Sequence, residues 1–301
     1  MSILKVILLA ILQGLAELLP VSSSAHVVVA EKLMGLDPST PQMTLLLVML
    51  HTGTMFAVIV YFWKTWRQAY FSSSEAFGEF AKLVIWATIL TAVFGEAIKK
   101  LIEHTLFKGV DHAEIESLFG RLDLIAPALA AAGVLILLAG LYERRQLARF
   151  IPGRAIEKFI GRGTVSFGQS TWMGITQGLA LPFRGFSRSG TTISAGMLTG
   201  AAKERAERFS FAMAVVLTPA VVGVEALRLV KASHVAKAAG MPIDLHGSIV
   251  ASLIGMICSF FAGLVALKWL SSWLESGKWW LFGIYCLVAS GVVFYLHTQG
   301  Y

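Results

Sequence analysis

Six apolar blocks stand out along the chain, at residues 44–63, 80–102, 122–142, 209–230, 248–270 and 279–297. Each has about the 20 residues that a helix needs to cross a hydrocarbon core. Two further apolar stretches are shorter and differently built. Residues 2–19 are interrupted by Gln13 and Glu17, then broken by Pro20 and the serines Ser22, Ser23 and Ser24; a second short apolar piece, 27–34, follows at once. Residues 164–182 end at Pro182, a polar break occupies 184–192, and a second half-helix follows over 193–202. Two half-length helices around a polar break predict a re-entrant hairpin, tolerable in a membrane only where protein shields the break. Gly35-Leu36-Asp37-Pro38 predicts a turn that closes the first one.

The two hairpins share a word. Gln13-Gly14-Leu15-Ala16, an apolar stretch, Pro20 and a serine run match Gln177-Gly178-Leu179-Ala180, an apolar stretch, Pro182 and a serine-rich break. Each copy is followed by a half-helix and then three spans. The pattern therefore predicts an all-α integral membrane protein of six transmembrane helices and two re-entrant hairpins, arranged as an inverted-topology repeat. Its parts are 1–142, with the hairpin 2–35; a basic linker, 143–163; and 164–301, with the hairpin 164–202.

Composition agrees with this reading. The chain of 301 residues is 56% hydrophobic and only 14% charged, where soluble domains carry roughly a quarter charged residues. Its mean hydropathy is +0.72. A net charge of +7 does not indicate nucleic acid, because the basic residues cluster in short loops as membrane topology requires. Arg144, Arg145, Arg149, Arg154, Lys158 and Arg162 face only Glu143 and Glu157 over 143–162. This marks a cytoplasmic side and places loops 64–79, 203–208 and 271–278 with it. Both termini then lie outside, the first hairpin enters from outside and the second from the cytoplasm. Trp63, Trp66, Trp269, Trp273, Trp279 and Trp280 sit at span ends, as in an aromatic belt.

Two alternatives are weighed at this stage. Lys5, the apolar run 6–12 and Ser23-Ser24-Ala25 imitate a secretory signal. Its duplication in mid-chain, with Gln13 and Glu17 inside it, argues that 1–35 belongs to the mature protein. Cys258 and Cys286 lie in apolar segments without metal or disulfide spacing and are read as packing residues.

Candidate chemistry concentrates in the two breaks. Gly185-Phe186-Ser187-Arg188-Ser189-Gly190-Thr191-Thr192 packs four hydroxyls, a guanidinium and two glycines between apolar sequences. An arginine inside a membrane-like chain is expensive and points to a functional site. Hydroxyls and glycines at a helix start leave N–H groups directed at an anion, and Arg188 adds a planar fork for phosphate oxygens. Gln13 and Glu17 share one helix face. His26 follows the serine run by two residues. His51, among the small residues Gly53 and Thr54, is read as interhelical packing. One carboxylate, one imidazole, one guanidinium and many hydroxyls suit phosphoryl transfer, which asks for positioning and for compensation of oxygen charge. A hydroxyl nucleophile needs an adjacent base, and a divalent ion bridging diphosphate oxygens needs only one or two protein carboxylates. The expected substrate is a phosphate ester or diphosphate with a greasy tail. A transporter or flippase for a polyprenyl phosphate is the alternative, since broken helices in inverted repeats are also transporter architecture.

At these residues the chain resembles the bacterial undecaprenyl-diphosphate phosphatase family of the BacA type. That family carries (E/Q)-x-x-x-E, L-P-V-S-S-x-x-H and P-G-x-S-R-S-x-x-T elements, met here at 13–17, 19–26 and 185–192. The resemblance spans the whole chain in length, repeat and span order. It implies hydrolysis of undecaprenyl diphosphate to the monophosphate at the outer face of a bacterial cytoplasmic membrane, in recycling of the lipid carrier for cell-wall synthesis, cell shape and bacitracin resistance. It implies Glu17, Ser23, His26 and Arg188 as catalytic residues, with Gln13, Ser22, Ser24, Gly185, Ser187, Ser189, Thr191 and Thr192 about the substrate. It also implies a divalent cation, Mg²⁺ or Ca²⁺, held by Glu17. Its partners are the polyprenyl diphosphate and membrane lipids, with no nucleic acid, and a homodimer is compatible with it. Two routes stay open: Ser23 as nucleophile with His26 as its base, or water activated by His26. One departure stands out. Arg184 occupies the place of the third element's leading proline, Pro182 lies two residues earlier, and the break carries one extra residue and one extra charge.

Overall fold

The computed structural model describes residues 2–106, 118–149, 164–238, 243–274 and 278–301. Among these residues there are ten α-helices and no strand. In chain order they are α1 (Ile3–Ala16), α2 (Ser23–Leu33), α3 (Pro41–Tyr70), α4 (Ser74–Leu106), α5 (Leu122–Arg149), α6 (Phe167–Ala180), α7 (Arg188–Leu198), α8 (Lys203–Ala238), α9 (Leu245–Leu274) and α10 (Trp279–Thr298). Six of them, α3, α4, α5, α8, α9 and α10, are long and apolar enough to cross a membrane. Large apolar side chains such as Val93, Leu227, Val265 and Val288 remain exposed on their outer faces. A water-soluble fold would have to bury such a surface; this is a multi-pass membrane protein.

The helix ends follow local chemistry. Ser2 caps α1 by accepting from the Lys5 N–H at 3.4 Å. Ser166 and Gln169 form a reciprocal capping box at the start of α6. Pro41 opens α3, where its missing N–H costs nothing. The spans extend beyond the sequence-based bounds, because polar residues continue the backbone ladder outside the apolar block. Residues 203–208 and 143–149, expected as loop and linker, are helical, and only 71–73 separate α3 from α4. The rest of the basic linker lies outside the described residues.

Small residues set the packing. Within lipid, helices gain most from backbones that approach closely. A Cβ on Gly53 would lie 2.1 Å from the Met256 carbonyl oxygen, and one on Gly140 would lie 2.2 Å from the Trp280 nitrogen. These glycines let α3 pack on α9 and α5 on α10. The repeated Gln-Gly word has the same use in both halves. A Cβ on Gly14 would meet Ala262 of α9 at 2.4 Å, and one on Gly178 would meet Phe94 and the Thr91 carbonyl of α4 at 2.8 Å. Each short helix thus lies against a long helix of the opposite half: α1 on α9, α6 on α4.

The belt expectation needs correction at two tryptophans. Trp66 and Trp279 are 6% and 3% exposed, packed into the core. Trp279 Nε1 donates to Ser194 Oγ at 3.1 Å, so the ring anchors α10 to α7. Trp66 belongs with Phe62 and Phe211 to an aromatic cluster that fixes α3 against α8. Cys286 is fully buried, its thiol 3.5 Å from the Pro20 carbonyl oxygen, and both Cys258 and Cys286 carry unpaired thiols.

Candidate active site

The two breaks meet. Helix α1 ends at Ala16 and α2 begins at Ser23; α6 ends at Ala180 and α7 begins at Arg188. Both second helices start earlier than the hydropathy pattern suggests, because serine, arginine and threonine supply the first turn. The residue ahead of each is a serine in the left-handed region, Ser22 at φ 63° and Ser187 at φ 51°, the two such non-glycine residues among those described. That conformation costs an L-residue roughly 1–2 kcal/mol, and such strain gathers at functional sites. The second break is one residue longer, and the extra length is taken up at Gly185, whose φ is +106°. A Cβ there would sit 2.6 Å from the Ile125 carbonyl oxygen, so glycine is required.

Between the breaks lies a buried polar cluster around Glu17, which is 2% exposed. Arg188 Nη2 donates to Glu17 Oε1 at 2.8 Å, and His51 Nε2 lies 3.0 Å from the same oxygen. On the other oxygen, Gln13 Nε2 donates to Oε2 at 2.8 Å and Ser23 Oγ donates at 2.5 Å. The carboxylate is thus held by four groups from four helices. Gln13 Nε2 also lies 2.8 Å from His51 Nδ1. His51 Nε2 also lies 3.1 Å from Arg188 Nη2, so the ring sits between Gln13, Arg188 and Glu17. Arg188 Nη1 is buried without a hydrogen-bond partner. A buried guanidinium nitrogen left unmatched is costly, and an anion's oxygen would satisfy it.

His51 is therefore not the packing residue the sequence suggested. Its neighbours are small because α9 packs closely there, but its ring is turned into the site. The signal was present, since a histidine in a spanning segment is itself a functional indication.

His26 occupies a different position from the one expected. Its Nδ1 lies 2.8 Å from the Ser22 carbonyl oxygen and its Nε2 lies 2.7 Å from the Tyr285 hydroxyl, with the two rings stacked. Both nitrogens are engaged away from Ser23, whose hydroxyl is bound to Glu17. Thr191 and Thr192 also differ from expectation. Their hydroxyls turn back onto the Ser187 and Arg188 carbonyls at 2.9 and 2.7 Å, and Thr192 further meets Ser210 at 2.5 Å. They build α7 and do not reach the cavity, and Gly185 and Gln13 likewise stand behind its surface.

The cluster floors a cavity of about 220 Å³. Glu17, Ser23, His51 and Arg188 form its polar end, with Ser22, Ser24, Ser187 and Ser189 beside them. Leu47, Leu181, Phe183, Leu217 and Val221 line apolar walls, and Phe119 and Arg184 belong to the lining too. A second carboxylate on the wall, Glu225, is answered by Arg228 at 3.7 Å. The chamber suits a ligand with an anionic end and an apolar remainder. Among the described residues no group of three His, Cys, Asp or Glu side chains is arranged to hold a metal.

The chain is similar to known proteins along nearly its whole length. The family described as bacitracin resistance protein BacA matches residues 6–292. The chain is 53% identical over 293 residues to undecaprenyl-diphosphatase 2 of Acinetobacter baylyi, covering 97% of each. It is 34% identical over 296 residues to undecaprenyl-diphosphatase of Desulfatibacillum aliphaticivorans, covering 96% of this chain and 97% of the relative. A third similar protein, from Methanobrevibacter smithii and bearing the same name, is 29% identical over 303 residues, covering 98% and 97%. With the profile running through nearly every helix and the relatives matching end to end, the chain belongs to the bacitracin resistance protein BacA family.

Proposed function

We propose that this protein hydrolyses undecaprenyl diphosphate to undecaprenyl phosphate and inorganic phosphate, returning the lipid carrier to cell-wall synthesis. The observation that carries the reading is the Glu17–Arg188 pair, in which each break contributes one charge to the polar end of an apolar-walled cavity. The names of its relatives supply the substrate.

Arg188 binds oxygens of the terminal phosphate, Nη1 gaining the acceptor it lacks. Ser23 Oγ attacks the terminal phosphorus, the bond from phosphorus to the bridging oxygen breaks, and the electron pair leaves on the lipid monophosphate. The hydroxyl proton passes to Glu17 Oε2, its partner at 2.5 Å. Glu17 gives that proton to solvent, takes one from the attacking water and returns it to Ser23 as phosphate leaves. This assigns the base to Glu17 rather than to His26. His26 holds the Ser22 carbonyl and so fixes the left-handed turn from which Ser23 projects. Ser22, Ser24, Ser187 and Ser189 are placed to contact phosphate oxygens, while Gln13 and His51 hold Glu17.

Both Glu17 oxygens are already matched by protein donors, so the donor set suits an ion delivered with the diphosphate better than a resident one. Glu17 is the carboxylate that would hold such a Mg²⁺ or Ca²⁺. When bound, the ion would offset charge on the diphosphate oxygens.

The helix pairs α1–α2 and α6–α7 read as re-entrant hairpins of an inverted repeat, supported by the exchanged packing of α1 and α6 between halves. We read the chain as lying in the bacterial inner membrane with the cavity towards the outer face, a reading supported by the basic residues clustered in 143–162. Purified protein in detergent, given a C55 diphosphate with and without chelator, should release phosphate. Binding without release would favour a polyprenyl-phosphate transporter.

A further inference from the structure

We infer that Arg184 is a second phosphate-binding residue, recognising the lipid-linked phosphate that remains on the product; this rests on the hydrolase reading above. Three observations carry it. Arg184 and Arg188 line the same cavity, so two guanidinium groups serve one chamber whose expected ligand has two phosphate units. Arg184 is held in place, with Cζ lying 4.2 Å from the centroid of the Phe119 ring, which lines the cavity too. The backbone is shaped to present it, since the extra residue of the second break forms the Gly185 turn directly after it.

A guanidinium on an aromatic face gains from the ring quadrupole, and its planar fork matches phosphate oxygens. The two arginines have separate duties. Arg188 sits with Glu17 and Ser23, where the terminal phosphate reacts. Arg184, four residues earlier and lining the same cavity, is left for the lipid-linked phosphate. The cation that replaces the family's proline thus lets this chain grip the half of the substrate that is not transferred.

A residue touching only the retained phosphate binds substrate, transition state and lipid product alike, so its loss raises KM and leaves kcat in place. In Arg184→Gln, KM for the C55 diphosphate is expected to rise about tenfold with kcat within about twofold. Inhibition by undecaprenyl monophosphate should weaken by the same factor, while inhibition by inorganic phosphate stays unchanged. A headgroup anchor or a purely structural arginine would move neither the KM nor the monophosphate inhibition selectively. If Arg184→Gln does not accumulate in the membrane, Phe119→Leu removes only the ring and carries the same two readouts, with an expected shift of about threefold. Wild-type turnover combined with unchanged KM and monophosphate inhibition in the variant overturns the role of Arg184. Absence of phosphate release from the wild type overturns the hydrolase reading instead.

Discussion

The backbone N–H of Ser22 donates to the side-chain oxygen of Ser187 at 3.2 Å, joining the two left-handed serines that start α2 and α7. These residues are 165 apart in the chain and hold equivalent places in its two halves. The bond fixes the spacing of the breaks, and with it the approach of Arg188 to Glu17. Gly190, one turn into α7, lets this happen: a Cβ there would lie 2.6 Å from Ser187 Oγ and 3.1 Å from the Pro20 carbonyl oxygen.

Arg188→Lys keeps the charge and loses the fork that serves Glu17 with one nitrogen and leaves another for substrate. Turnover should fall at least tenfold, about 1.4 kcal/mol of transition-state binding, with normal membrane insertion. Phosphate release by purified variant measures this, and near-wild-type rates would reduce Arg188 to a generic counter-charge.

Glu17→Gln is nearly isosteric but turns an acceptor of four bonds into a group that must also donate. The buried Arg188 charge then loses its partner, a change of about 3–5 kcal/mol for a buried pair. Activity should be nearly abolished and the melting temperature in detergent should drop. Full activity at every metal concentration would assign the proton transfer elsewhere.

His51→Ala removes the ring that contacts Glu17, Gln13 and Arg188. Each loss is of the order of 1–3 kcal/mol for a charged or buried group. We expect a tenfold to hundredfold fall in kcat, as for a positioning residue. A parallel shift in the pH–rate profile should accompany it, since the environment of the Glu17 carboxylate changes. An unchanged profile with unchanged kcat would return His51 to packing.

Ser23→Ala removes the attacking atom and should leave less than about one per cent of activity, a loss of roughly 2.7 kcal/mol or more. Quenching with a labelled terminal phosphate should trap phosphoserine at Ser23. Tyr285→Phe tests the support of His26. It removes one hydrogen bond, about 0.5–1.5 kcal/mol, and should lower activity several-fold without preventing phosphoserine formation. Residual Ser23→Ala turnover above the one per cent level would instead favour direct attack by water.

Six spans and two broken helices were legible in the sequence because lipid imposes one rule on all of them: about 20 apolar residues for each crossing, and no unpaired backbone. Glu17, Arg188 and the serine runs were legible for the converse reason, as polar groups whose cost in an apolar chain demands a use. What the sequence could not specify was partnership. Ser23 lies three residues before His26 and six after Glu17, and local spacing favoured the imidazole as its partner; the turn at Ser22 directs the hydroxyl to the carboxylate instead. His51 reaches the site from α3 and Tyr285 reaches His26 from α10, far along the chain, and hydropathy carries no information about which way a ring faces within a span. The glycines set the helix separation, and side chains can meet across two helices only at the distance their backbones allow.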